Sequence, residues 1–475
     1  MNLGIRILSV QIKNIKNTKN GIVEFDSKKK IEEADFRLDS SDVIGIYGPN
    51  GSSKTSMINA IDILKKVIIS QNSNKNVFTN KFNGFEFFDI ITSTEQTASI
   101  EMSFFHDGVD KRIFFYEIKF IKNNEEKKSV IINEKLTYKQ YDSENQKWSK
   151  ESKLIEVDFS KDLSSFISPL AFLSSMKKID KNIPNELVLL RGISNSKDST
   201  FIFSDELINI LLRNDEYESI AVAVRNMKIF AIHNMHVYNN KSISQIAAND
   251  AIPFFYKNET ENLINTFVGR FNIFGESKLQ ISLKNVIYEY FQEIDIVINK
   301  IIPNMRVKVV DLGNTILDDG SEGFKCEVVS IRNDVQIPLR LESDGIKKII
   351  SLISAMVDVF NNKYSILIVD EFDSGIFEFL LGEILISFKQ NAKGQLLFTS
   401  HNLRALEVIK ESIIFSSIDE NDRYISYPRI SDTGNLRSQY IKRLFLDDNN
   451  KFAEQIDIYD IYRAFVKAGE LIKHE

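Results

Sequence analysis

Residues 48–55, Gly-Pro-Asn-Gly-Ser-Ser-Lys-Thr, constrain the fold more than any other stretch of this chain. The apolar run Val43-Ile44-Gly45-Ile46-Tyr47 leads into them as a short buried strand. Ser56-Met57-Ile58-Asn59-Ala60-Ile61-Asp62-Ile63-Leu64 leads out with apolar residues at helical spacing. A strand, a glycine-bearing turn and a helix together form the setting of a phosphate-binding loop. Turn amides and the helix N-terminus point at the phosphates and favour negative charge. Asn50, Gly51, Ser52, Ser53, Lys54, Thr55 and Ser56 are the expected nucleotide contacts. Lys54 is expected to reach the β- and γ-phosphates, and the Thr55 hydroxyl to hold Mg²⁺. Glycine is expected immediately before the lysine, but this chain has Ser53 there. A serine fits if its backbone stays near right-handed helical values and is strained if the turn is left-handed. The alternative is an ordinary Gly/Ser-rich turn between a strand and a helix.

At 475 residues the chain is long enough for more than one structural unit. Hydrophobic content of 43% with 27% charged residues indicates a soluble globular protein. No apolar run approaches the roughly 18–20 residues of a membrane helix. The N-terminal residues lack the apolar core of a signal peptide. The single cysteine, Cys326, excludes an internal disulfide framework. A cytoplasmic location without a membrane partner is therefore expected. The net charge of −6 argues against a protein that coats nucleic acid generally, but not against a local basic groove.

Strand patterning dominates up to about residue 158: a hairpin over 5–25, runs at Ala98–Phe105 and Arg112–Phe120, and further β patterning at Lys127–Tyr141. From 159 to 302, helical spacing appears at Asp205–Leu212, Glu216–Met227, Glu259–Phe271 and Leu283–Ile302. None sustains the heptads of a long coiled coil. Strands return at Arg306–Val310 and Phe324–Ile331, and an α/β half runs to about 445. The expected division is a first lobe at 1–158, a helical insertion at 159–302, a second lobe at 303–445 and a terminal helix within 446–475.

Ile366-Leu367-Ile368-Val369-Asp370-Glu371 is a buried-strand pattern ending in two acids. Beside a phosphate-binding loop, Asp370 is expected to support Mg²⁺, and Glu371 to orient and deprotonate the attacking water. Leu396-Leu397-Phe398-Thr399-Ser400-His401 is a second short strand, ending in a histidine. His401 reads either as a sensor of the γ-phosphate or as a strand-end histidine with a structural hydrogen bond. In Leu341-Glu342-Ser343-Asp344-Gly345-Ile346-Lys347-Lys348, a Ser-x-Gly turn precedes an apolar helix, Ile349–Phe360. That turn is a second anion site, or simply a helix cap at Ser343.

These four motifs in this order resemble the SMC-like branch of the ATP-binding-cassette ATPases. Val10-Gln11-Ile12-Lys13-Asn14-Ile15-Lys16-Asn17 before Ile22-Val23-Glu24-Phe25 also looks like that branch's opening strands. The likeness is closest to compact prokaryotic ATPases grouped with RecF and the OLD nucleases, such as those of the PARIS, Septu and AbiL defence systems. It covers about 1–158 and 301–445. It implies an α/β head with a two-lobed core and an antiparallel β subdomain, carrying a mostly helical insertion. It also implies ATP and Mg²⁺ as ligands and hydrolysis at a head-to-tail dimer interface, or in a higher homo-oligomer. There Ser343, Gly345 and, less directly, Lys347 would complete the neighbour's site. The family association implies an anti-phage sensor working with a separately encoded effector. A weakly hydrolysing nucleotide-gated scaffold and a RecF-like DNA-repair ATPase are the alternatives. The sequence departs from the pattern at Ser53, at Asp344 and at Phe377. No glutamine is placed as that of the Q-loop; Gln96, just before a β-run, is a weak candidate.

His233 and His236 share a helical spacing but lack further zinc ligands. The stretch after His401 is too short for the acidic nuclease domain of OLD-type proteins. Arg423, Arg429, Arg437, Lys442 and Arg443, interleaved with Tyr424, Tyr427 and Tyr440, suit a DNA or RNA backbone or a partner protein. A solvated face is the alternative.

Overall fold

In a computed structural model of the chain, the structure describes residues 4–70, 91, 96–240, 244, 251–260, 263–273, 275–409, 412–417, 419–426 and 458–472. The chain opens with the hairpin β1 (Ile5–Ile15) and β2 (Thr18–Glu24), then a short helix α1 (Asp26–Glu32). The strand β3 (Asp42–Tyr47) and the helix α2 (Lys54–Ile68) flank the glycine-bearing loop, as the sequence predicts. Four longer strands follow: β4 (Thr97–Asp107), β5 (Lys111–Asn123), β6 (Lys128–Asp142) and β8 (Ser152–Asp158). The two-residue strands β7 (Lys147–Trp148) and β9 (Ile167–Ser168) pair at their margins. Together they make an antiparallel sheet in the order β2-β1-β4-β5-β6-β8-β9.

Helices α3 (Leu170–Ile179), α4 (Ile183–Ser196), α5 (Asp205–Leu211) and α6 (Asp215–His233) come next. Ser204 and Asn214 cap α5 and α6 through their side chains, satisfying amides that have no partner within the helix. Leu187, Leu207, Val224 and Met227 from these helices share one core with Ile58 and Leu64 of α2 and with Phe104, Phe114 and Ile118 of the antiparallel sheet.

After α6 the helical expectation gives way. Strand β10 (Met235–Tyr238) pairs in parallel with β17 (Ile366–Val369) in the central sheet. Residues 259–271, expected to be helical, instead belong to the hairpin β11 (Ala251–Thr260) and β12 (Leu263–Asn272), closed by the pair Thr260↔Leu263. The apolar residues Leu263, Ile264, Phe267, Val268 and Phe271 do recur at helical intervals. The neighbouring run rich in Phe and Tyr supplies an antiparallel partner, and β-branched and aromatic residues suit that pairing. Strands β13 (Ser277–Gln280), β14 (Met305–Ile316), β15 (Glu322–Arg332) and β16 (Val335–Pro338) form a further antiparallel sheet around helix α7 (Lys284–Ile301).

The second half of the central sheet comes from β17, β18 (Gln395–Thr399), β19 (Ile413–Ser416) and β20 (Tyr424–Ser426), with helices α8 (Asp344–Asn361), α9 (Glu378–Asn391) and α10 (Leu403–Val408) between them. The strand order is β10-β17-β18-β3-β19-β20, with every pair parallel except β19·β20. β3, β17 and β18 are buried along their whole length, which explains why they read as unbroken apolar runs. The last described element is α11 (Ile458–Ile472), where Tyr459, Ile461, Tyr462 and Phe465 are exposed.

Gln395 stitches the two large sheets together. Its amide donates to the Ile7 carbonyl at 2.8 Å and accepts from the Ile7 amide at 3.0 Å. Arg6, 2% exposed, donates to the carbonyls of Leu38, Ser40, Lys363 and Lys393 and pairs with Asp42 at 3.6 Å. A buried guanidinium needs this many acceptors, because its desolvation is otherwise uncompensated. The start of β3 is thereby fixed against segments from both ends of the chain. Among the described residues no helix is long and apolar enough to cross a membrane.

Candidate functional site

The loop after β3 emerges at the C-terminal edge of the parallel sheet, where open α/β folds bind ligands. Gly51 has φ +81° and Ser53 φ +68°, so the serine adopts the left-handed conformation that glycine would take without strain. For a non-glycine residue this costs about 1–2 kcal/mol. Lys54 opens α2, and its ammonium donates to the Gly48 and Pro49 carbonyls, at 2.8 Å each. Ser52 does not line the cleft. It braces the loop from behind, donating to the Pro49 carbonyl at 2.7 Å and meeting the Ser416 hydroxyl at 2.5 Å. Tyr424 holds the loop from below, with its hydroxyl donating to the Ser53 carbonyl at 2.7 Å.

The two acids arrive at the end of β17, beside β3's other neighbour, β18. Thr399 of β18 donates to Asp370 Oδ1 at 2.6 Å, and Thr55 reaches the same oxygen at 3.4 Å. The other carboxylate oxygen, Asp370 Oδ2, is buried with no hydrogen-bond partner among the described residues. Burial raises the Asp370 carboxyl above its ordinary value, with the Thr399 and Thr55 hydroxyls opposing. Glu371 has φ +49°, and its amide donates to Thr399 Oγ1 at 2.7 Å. Asn240 Nδ2 approaches Glu371 Oε1 at 3.4 Å. His401 lies exposed at the end of β18, its amide donating to Asp373 Oδ2 at 3.0 Å. Burial and then the Lys54 charge lower the His401 imidazole, opposed by Asp373, Glu371 and Asp370. Burial likewise lowers the Lys54 ammonium to about 8, against the pull of Asp370, Glu371 and Asp373.

These residues converge on one cleft of about 230 Å³, lined by Asn50, Gly51, Ser53, Lys54, Thr55, Ser56, Asp370, Glu371 and His401 of the sequence-predicted set. Lys16, Asn17 and Thr399 line it too, and the sequence reading had not singled them out as site residues. Lys16 sits in the β1–β2 turn with φ +51°, and burial lowers its ammonium while Asp370 raises it. Asn17 Nδ2 donates to the Gly51 carbonyl. The sequence signals for this turn are its polarity and the likeness of Val10–Asn17 to the opening strands of the SMC-like branch.

Ser343 and Gly345 lie elsewhere. Both line a separate cavity between α7, α8 and α9, so one chain does not bring them to Lys54. Ser343 caps α8, accepting from the Ile346 amide at 3.4 Å, and is itself exposed. Gly345 packs against the loop after β17; a Cβ there would stand 1.8 Å from the Gly375 carbonyl oxygen. Lys347 is buried and pairs with Asp344 at 2.8 Å. Phe377 is exposed at the end of that loop. Gln96 accepts the Lys122 amide at its carbonyl and is not among the residues lining the cleft.

One expectation about the C-terminal basic patch needs correction. Arg423 and Tyr424 do not present a basic face. Arg423 is buried and donates to the carbonyls of Ser417 and Asn17, and Tyr424 is buried beneath the Ser53 turn. The remaining residues of that patch, Tyr427, Arg429, Arg437, Tyr440, Lys442 and Arg443, lie outside the described residues. His236 is engaged with Asp358 Oδ2 at 2.8 Å, which links β10 to α8.

A helix N-terminus with a lysine and a hydroxyl faces two acids at the end of β17, an arrangement that suits a phosphate group and a cation. Residues 43–218 and 231–407 match the family described as "AAA domain, putative AbiEii toxin, Type IV TA system", and the chain belongs to that family. No curated protein matches it. Among solved structures it is similar to the Smc head domain of Pyrococcus furiosus, bound to the C-terminal domain of ScpA, at 12% identity. That match covers 89% of this chain and 96% of the other, with a TM-score of 0.38. The SMC head domain from Thermotoga maritima is similar at 12% identity over 89% and 99% of the two chains, with a TM-score of 0.34. The recombination mediator RecF with ATP is similar at 11% identity over 89% and 99%, with a TM-score of 0.37.

Proposed function

We propose that this chain is a Mg²⁺-dependent ATP hydrolase working at a head-to-tail dimer interface. We further propose that it acts as the sensor of an anti-phage defence system with a separately encoded effector. The observation that carries the first reading is the meeting of Lys54, Thr55, Asp370, Glu371 and His401 around one cleft. The family's description refers to a toxin of a toxin–antitoxin pair, which supports a role beside a second protein.

In this reading the loop amides and Lys54 hold the triphosphate. Mg²⁺ fits the site, because Thr55 Oγ1 and the unpartnered Asp370 Oδ2 are oxygen donors beside the phosphate loop. Once bound, it would neutralise charge on the β- and γ-phosphates. Glu371 orients and deprotonates the attacking water, while His401, its imidazole held below the ordinary value, supplies a neutral hydrogen-bonding group at neutral pH. Ser343 is exposed at the N-terminus of α8 and lines a different cavity from Lys54, which suits phosphate bound by a second copy. Steady-state ATPase measurement on the wild type and on Lys54→Ala tests the assignment. Equal turnover by the two proteins would refute it.

One observation favours a second reading. The left-handed Ser53 strains the phosphate loop, which suits a nucleotide-gated scaffold that binds ATP but turns it over slowly. Turnover measured with and without DNA separates the two.

A further inference from the structure

Lys348 lies on the inner side of α8, five residues after Ser343, and is 3% exposed. Its ammonium donates to three backbone carbonyls: Glu371 at 2.5 Å, Phe372 at 3.3 Å and Ser374 at 3.1 Å. An ammonium has three N–H donors, so every one of them is directed into the loop that follows β17. Burying a lysine side chain this fully is costly unless the charge is compensated by hydrogen bonds.

The loop it grips is the one that carries Glu371. That residue is a non-glycine in the left-handed region at φ +49°, a conformation that persists only where the surroundings over-determine it. Three contacts do so here: the Glu371 amide is held by Thr399 Oγ1 at 2.7 Å, and its carbonyl accepts from the Lys348 ammonium at 2.5 Å and from the Ser374 amide at 2.9 Å. Without the ammonium the Glu371 carbonyl would keep only the Ser374 amide, and the backbone that aims the carboxylate would be held less firmly.

The same helix meets the same loop a second time, at its N-terminus. Gly345 and Gly375 pack backbone against backbone, closely enough that a Cβ on Gly345 would sit 1.8 Å from the Gly375 oxygen. Gly375 itself has φ +74°. The first turn of α8 and residues 371–375 are thus fastened at both ends, by the Gly345–Gly375 contact and by the Lys348 ammonium. A displacement of the exposed Ser343 turn cannot leave Glu371 where it was.

We propose that Lys348 is a positioning residue that couples the Ser343–Gly345 turn to Glu371. Engagement of that turn by a second copy then sets the carboxylate for hydrolysis. This rests on the ATPase reading above and deepens it by naming the internal link between the two faces of one subunit. Lys348 does not line the cleft; it acts through the Glu371 backbone.

The test compares wild type with Lys348→Met, which keeps the stem and removes the ammonium, and with Lys348→Arg, which keeps the charge. ATP affinity, kcat and amide hydrogen exchange of residues 371–375 are measured on the full chain. For Lys348→Met we expect ATP affinity within about threefold of wild type and kcat reduced by about 10- to 100-fold, a partial loss beside the roughly 10²–10⁴-fold contribution of a positioned general base. Faster exchange at 371–375 should accompany this, and Lys348→Arg should recover part of both. Unchanged exchange at 371–375, or unchanged kcat, overturns the proposal. So does a parallel loss of ATP affinity and global exchange protection, which would mark a merely structural lysine. If Lys348→Met does not fold, Lys348→Gln, which removes the charge but keeps a polar end, decides: wild-type kcat and wild-type exchange at 371–375 would refute the proposed link. A wild type that binds ATP without hydrolysing it sinks the ATPase reading instead, and the exchange measurement then judges Lys348 by itself.

Discussion

The Thr399 hydroxyl donates to Asp370 Oδ1 at 2.6 Å while accepting the Glu371 amide at 2.7 Å. One side chain on β18 thus orients both acids at the end of β17. The other oxygen, Asp370 Oδ2, is left buried without a hydrogen-bond partner among the described residues. Thr399→Val keeps the shape and removes both bonds. A hydrogen bond to a charged group contributes about 1.5–3 kcal/mol, so weaker Mg²⁺ affinity and a loss of stability in that range are expected. Mg²⁺ titration and denaturant unfolding measure the two effects. Thr399→Ser should restore most of both, and a valine variant with wild-type Mg²⁺ affinity would remove Thr399 from the site.

Glu371→Gln retains the side-chain volume and abolishes the base. Turnover should fall by about 10²–10⁴, the usual contribution of a positioned proton acceptor. With hydrolysis blocked, ATP should hold the protein as a dimer, visible by light scattering during size-exclusion chromatography. A variant that stays monomeric with ATP while the wild type dimerises would count against the head-to-tail arrangement.

Ser53→Gly should stabilise the protein. The left-handed serine costs about 1–2 kcal/mol, and glycine's greater unfolded-state freedom gives back about 0.5–1 kcal/mol. A net gain of about 0.5–1 kcal/mol in denaturant unfolding is the expected result. If relaxed loop geometry also speeds turnover, the slow-scaffold reading gains support. A destabilised glycine variant would show that the Ser53 turn is not strained.

The pH dependence follows from two buried ammoniums. Desolvation lowers Lys54 and Lys348 to about 8 each, in both cases against nearby carboxylates. Raising the pH through 8 should therefore lower kcat/KM, which reports the free protein, more steeply than a single ionisation would. The stability effect has the opposite sign. These lysines bind protons more weakly folded than unfolded, so their contribution to stability rises between pH 8 and their unfolded value near 10.5. Activity lost above pH 8 without a matching fall in melting temperature is the expected pattern. Parallel losses would point to unfolding instead.

The parts of the site that the sequence revealed are those encoded by short contiguous patterns. The 48–55 loop, the Asp370-Glu371 pair and His401 each end a run of buried apolar residues, and period and burial mark such runs without any knowledge of neighbours. Thr399 stood inside one of these runs and was passed over, because nothing local distinguishes a hydroxyl that faces Asp370 from one that faces solvent. Lys16 and Lys348 were missed for the same reason: their roles depend on pairing across the chain. The β11–β12 hairpin was misread because Leu263, Ile264, Phe267 and Phe271 fit a helical stripe, and only the partner strand at 251–260 decides otherwise. Arg423 looked like surface charge because its acceptors, the carbonyls of Ser417 and Asn17, are not encoded in side-chain types.

The place of β3 between β18 and β19 has a consequence for the order in which the protein is made. Gln395 at the start of β18 and Asp42 at the start of β3 are bonded across a separation of 353 residues. At about 5–20 residues per second, a ribosome needs roughly 20–70 s to supply β3 with its first strand neighbour after β3 has emerged. Throughout that interval the phosphate loop hangs on an unpaired apolar strand, and a chain stopped before β18 has no wall opposite Lys54. The cleft is therefore completed late in synthesis, and truncation products should be insoluble or chaperone-bound rather than partially active.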